Sequence, residues 1–136
     1  MSGAGADEML ALLRALPSLT VHDAKVPDAA PLPYALTYFS MTTASAGGSA
    51  GTVDLTLDSQ TIDLTLYLHN VAGNAAAARA VQWKTRNALV NARITVTGRR
   101  CFPVRQVDDA PAVKDESTGK LIVDLTDVYR LRSVPG

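Results

Sequence analysis

Residues 61–92, TIDLTLYLHNVAGNAAAARAVQWKTRNALVNA, are one strand feeding one long helix through a short turn. In the first half Ile62, Leu64, Leu66 and Leu68 alternate with Asp63, Thr65, Tyr67 and His69. A period of two puts the aliphatics on one face of a half-buried strand. The turn is Val71-Ala72-Gly73-Asn74, with Asn74 placed to cap a helix. Then the period changes. Ala78, Val81, Ala88, Leu89 and Ala92 follow helical spacing, interrupted by Thr85, and Arg79, Gln82, Arg86 and Arg93 fall mostly on the other side. The alanines at 75–78 favour helix and let it approach a sheet closely. The stretch predicts an amphipathic helix, about 75–92, laid over an apolar sheet face.

Working outward, Met9, Leu12, Leu13 and Leu16 make the stripe of an opening helix, about 6–16, stopped by Pro17. Leu19 to Ala24 suits a short strand, and the prolines at 27, 31 and 33 impose an irregular connection into a strand at Tyr34 to Met41. Residues 42–52, TTASAGGSAGT, read as a flexible connection or a loop that orders against a partner. Val53 to Leu57 suits another strand, with a bend at 58–60. Beyond the long helix, 94–98 is short and extended, 101–107 more apolar, and 108–120 a polar surface connection. On a final long strand, Leu121 to Arg132, Leu121, Val123, Leu125, Tyr129 and Leu131 share a face with Asp127 the only intruder. Two helices and about four to six strands, not strictly alternating, predict an α+β domain spanning 1–136 with a small, mostly antiparallel sheet.

Composition narrows the function. The chain is 47% hydrophobic and 19% charged, which is globular, and its net charge of zero argues against general nucleic-acid binding. One cysteine, Cys101, excludes an intrachain disulfide and a cysteine-built zinc site. The N-terminal segment has neither a basic leader nor a long apolar run, so the expectation is cytoplasmic synthesis with no membrane span. His22 and His69 lack metal-ligand spacing, and neither a nucleophile elbow nor a phosphate loop is present. Asp108-Asp109 reads better as a solvated pair than as catalytic carboxylates, and Cys101, despite Arg99 and Arg100, better as an inert thiol than a reactive one. No catalytic residue, cofactor or metal is expected. The aromatic residues are spread along the chain, which suits packing rather than base stacking.

Charge is segregated, however. Between Leu64 and Val107 lie seven basic residues, Arg79, Lys84, Arg86, Arg93, Arg99, Arg100 and Arg105, and no acid. Three readings follow: acidic loops folding back on the basic helix, a basic face meeting an acidic face of the next subunit, or a local nucleic-acid patch.

The order of pieces carries a resemblance. A leucine helix and a Pro-rich connection lead into PYALTYFS at 33–40, then TIDLTLYLHNVAGN and NAAAARAVQWKTRNALVN, then RITVTGRRCFPVRQVDDAPAVKDES and VDLTDVYRLRS. Taken over nearly the whole chain, this resembles the tail terminator (tail completion) proteins of long-tailed, siphovirus-type bacteriophages, particularly those of actinobacterial phages and prophages. The resemblance implies a non-enzymatic virion protein. It would form a ring, as a hexamer, on the head-proximal end of the tail tube, stop tube growth and receive the head connector. Implied partners are further copies of itself, the tail tube protein and the head–tail connector, with no membrane and with DNA only passing through the ring. Arg79, Arg86, Arg99 and Arg100, with Asp108 and Asp109, are the expected subunit or tube contacts. Another phage neck or head-completion protein, or a non-enzymatic α+β binding module, is the alternative.

Overall fold

A computed structural model describes residues 4–45, 60–109, 113–115 and 121–136. The expected strand at 53–57 and the loop from 46 onward lie outside them. The fold is α+β: two helices on a mixed, curled sheet. In chain order the elements are α1 (Ala6–Arg14), β1 (Thr20–Asp23), β2 (Tyr34–Ser45), β3 (Gln60–Ala72), α2 (Ala75–Leu89), β4 (Arg99–Cys101), β5 (Arg105–Asp109), β6 (Val113–Asp115) and β7 (Ile122–Pro135). The sheet runs β1-β2-β3-β7-β4, and β5 and β6 also pair with β7. Every pairing is antiparallel except β1 with β2, which the Pro-rich connection makes parallel. Among the described residues no helix is long and apolar enough to cross a membrane.

The alternation in β3 does what its period requires. Ile62, Leu64, Leu66 and Leu68 are buried, and the residues between them are less so. Met9, Leu10 and Leu13 of α1 close over Leu64, Leu66 and Leu68, together with Leu89, Ile94, Val96, Val104, Tyr129 and Leu131. Ala72, Ala78 and Val123 form a second cluster, where small side chains bring the start of α2 close to the sheet. Gly5 precedes α1 at φ 100°, and a β-carbon there would stand 2.5 Å from Leu131 Cδ2. Both the backbone angle and the close approach demand glycine.

Local outcomes differ from the sequence reading, beginning with α1, which ends at Arg14 rather than near 16. Residues 42–45 extend β2 instead of opening a loop, because the ladder continues to Ser45 opposite Gln60. The long helix stops at Leu89 rather than near 92. Val90 is extended and Asn91 left-handed (φ 62°), a conformation asparagine tolerates. Asn91 N–H donates to Val104 O and Val104 N–H to Ala92 O, so the backbone pairs sideways instead of continuing the helix. Part of the 108–120 connection is sheet, since β5 and β6 both add to β7. Asn74 caps α2 as anticipated, its Oδ1 accepting from Ala77 N–H at 2.7 Å.

Candidate functional site

The curled sheet has two unlike faces. The inner one carries the helices and the intruder Asp127, which is fully buried. Register places Asp127 on β7 beside Leu68 of β3, under α2. Arg86 on α2 grips it with a fork: Nε donates to Oδ2 at 3.1 Å and one terminal nitrogen to Oδ1 at 2.8 Å. Gln82, one turn earlier, donates to Oδ1 at 3.1 Å. Gln106 and the Tyr129 hydroxyl approach at 3.4 and 3.5 Å. Hydrogen bonding to the carboxylate holds the guanidinium charged, and burial pushes the Tyr129 phenol up. Beside this cluster Thr85 donates to Asn70 Oδ1 at 2.8 Å, and Asn70 donates to Leu125 O at 2.8 Å. The polar interruptions in the two amphipathic patterns, Thr85 and Asp127, therefore belong to neighbouring parts of one helix-to-sheet seam.

The outer face has no helix over it among the described residues. Cross-strand register sorts its side chains into rows. Tyr38 stands opposite Tyr67, Tyr67 opposite Val128, and Val128 opposite Asp108. The next row is Ser40, Thr65, Arg130 and Arg105. Then come Thr42, Asp63 and Arg132, with Phe102 N–H donating to Arg132 O at 2.9 Å. In the other direction lie Leu36, His69 and Thr126, then Tyr34, Val71 and Asp124. Tyr38 and Tyr67 are each 43% exposed. His69 Nδ1 lies 2.8 Å from Asp124 Oδ2 and 3.0 Å from Thr126 Oγ1, and its ring meets Tyr38 edge-on at 5.7 Å. Arg132 forks onto Asp63 at 2.7 and 2.9 Å, which holds that carboxyl below its usual range. Spread in sequence, three tyrosines are gathered by strand register onto one face. Alternation alone puts Tyr34 and Tyr38 on one face, and the pairing scheme adds Tyr67.

Of the six residues singled out from the sequence, the structure brings together Arg86 and Asp109 and leaves the others apart. Arg86 belongs to the buried clamp, with exposed Asp109 3.9 Å from it. Arg99 binds the hydroxyl and carbonyl of Ser133 and the carbonyl of Gln60, fastening β4 to the sheet. Arg79, Arg100 and Asp108 are exposed. Trp83, on the outward side of α2, is 70% exposed, the largest uncovered aromatic among the described residues. His22 and His69 sit on different strands, and no group of three metal-ligating side chains occurs among the described residues. Burial pushes the Cys101 thiol up despite Arg99.

No protein-family model and no curated protein matches the sequence. Among solved structures, a chain of the virion of a native gene transfer agent particle is similar, with a TM-score of 0.58 and 20% identity. The match covers 91% of this chain and 91% of that one, so the two share a fold from end to end.

Proposed function

We propose that this chain is a structural protein of a phage-like virion, a terminator that caps the head-proximal end of the tail tube as a ring, a hexamer, and receives the head connector. The observation that carries the virion part of this reading is the end-to-end likeness to a chain of a gene transfer agent virion. The order of sequence segments points the same way. The outer face, with exposed tyrosines and arginines, and separately the uncovered tryptophan on α2 have the composition of protein contacts. Arg79, Arg100, Asp108 and Asp109, exposed and distributed over different elements, are the charged residues in position to reach a neighbouring subunit or the tube. Arg86 and Arg99 serve chiefly inside the fold.

The test is reconstitution. Tubes grown from the tail-tube protein of the same particle should stop elongating at one end when this chain is added, with a ring visible at that end by electron microscopy. Light scattering of the free protein should give a closed ring that loosens with salt if charge holds it. Unimpeded tube growth with the chain remaining monomeric throughout would refute the terminator role.

A further inference from the structure

On the outer face, β5 and β7 place Arg105 directly opposite Arg130. Like charges directly opposite across an antiparallel pair destabilise the sheet. Neither guanidinium forms an ion pair or side-chain hydrogen bond among the described residues. Arg132 lies two positions further along β7, on the same face. The three arginines ring a recess of about 270 Å³ whose remaining walls are Phe102, Pro103 and Val107. Phe102 and Val107 are 50% and 43% exposed, so the recess offers open apolar surface between positive rims. It is smaller than the roughly 300–1,000 Å³ of small-molecule sites. Its size suits a side chain.

We propose that this recess docks an acidic segment of a protein partner, setting carboxylates on Arg105 and Arg130 and an apolar side chain between Phe102 and Val107. Arginine forks match carboxylates in a bidentate manner, and the same face already holds one such fork, Arg132 on Asp63. Asp63, forked by Arg132, also draws on Arg130 electrostatically, so a partner carboxylate would relieve chiefly the repulsion that Arg105 meets across the pair. Nucleic acid fits less well. A recess this short gives no track along a strand, and a polyanion running past it would meet Asp63, Asp108 and Asp124 on the same face, whereas one or two carboxylates need reach only the arginines. The inference does not depend on the virion reading, because it follows from the register and charge of this face alone.

Selection of displayed random peptides on the full chain tests it. The enriched peptides should combine Asp or Glu with a neighbouring large apolar residue. A synthetic copy of the best should bind at least about tenfold more weakly to Arg105→Glu, as expected for a hot-spot contact. Its binding should also weaken with salt. Arg105→Glu is informative because the new carboxylate faces Arg130. Its melting temperature should be unchanged or slightly raised, so lost binding cannot be lost folding. Arg105→Lys should retain part of the affinity. Acid-free winners, unchanged peptide binding by both Arg105→Glu and Arg130→Glu, or tighter binding of oligothymidylate than of the peptide would each overturn the proposal. So would an oligomer of the chain that falls apart in Arg105→Glu, which would put a second copy in the recess. Tube capping is read separately, so failure of either idea leaves the other standing.

Discussion

The same kind of ion pair appears on both faces of the sheet, under opposite conditions. On the inner face Arg86 clasps Asp127, a carboxylate with 0% exposure; on the outer face Arg132 clasps Asp63 with its own side chain 51% exposed. Both are bidentate and both join separate elements. Their consequences differ because water does. An exposed pair exchanges solvent for a partner at little net gain. A buried carboxylate stripped of its cation has no solvent to fall back on. The inner face is thus where charge fixes the fold, and the outer face is where charge stays in contact with water.

The sharpest way to break this contrast is Arg86→Ala. Removing one partner of a buried pair costs about 3–5 kcal/mol. Arg86 is 34% exposed, so water can reach part of the vacated site, and the expected loss is near the low end, about 3 kcal/mol. Urea denaturation measures it. A loss below about 1 kcal/mol would mean that Gln82 and Gln106 alone satisfy Asp127, and the two faces would no longer differ in kind.

A smaller effect is expected from the outer face. Replacing both Tyr38 and Tyr67 by serine removes two register-paired side chains and the edge-on contact of Tyr38 with His69; a cross-strand pair is worth roughly 0.2–1 kcal/mol, plus the partial burial of each ring. The fold should survive with a modestly lower melting temperature. Any ring or tube contact made through this face should weaken much further, and the ratio of the two losses measures how far the face is reserved for partners.

The two faces were unequally legible in the sequence. Periodicity finds β3, α2, α1 and most of β7, because apolar spacing follows from which side meets the core. It marks Asp127 and Thr85 as breaks in their stripes, and these breaks turn out to be the helix-to-sheet seam. It cannot pair Asp127 with Arg86, 41 residues apart, because that contact depends on how α2 lies across β7. Nor can it see Tyr38 beside Tyr67 or Arg105 against Arg130, which depend on register between strands separated by long stretches of chain. The acid-free basic block is visible as composition. Its division into a clamp (Arg86), a fastener (Arg99) and exposed charges (Arg79, Arg100, Arg105) is a matter of three-dimensional position.

The least of the expected effects is a pH dependence, and its sign is fixed by the direction of the Asp63 shift. Hydrogen bonds from Arg132 hold this carboxyl below its ordinary value of 3.8. A group whose folded value is depressed contributes stability above its unfolded value and loses it as pH falls through the folded one. The contribution is therefore fully present at neutral pH and disappears only below about pH 4. Arg132→Gln should separate from the parent chain in melting temperature at neutral pH, and the two curves should converge as the carboxyl protonates. Because the arginine is exposed, the separation should also shrink toward 1 M salt, where the screening length is about 3 Å. The cost of Arg86→Ala should persist there, since its carboxylate is out of reach of the ions. If salt erased both differences equally, Asp127 would be accessible after all, and the contrast between the two faces would be one of degree.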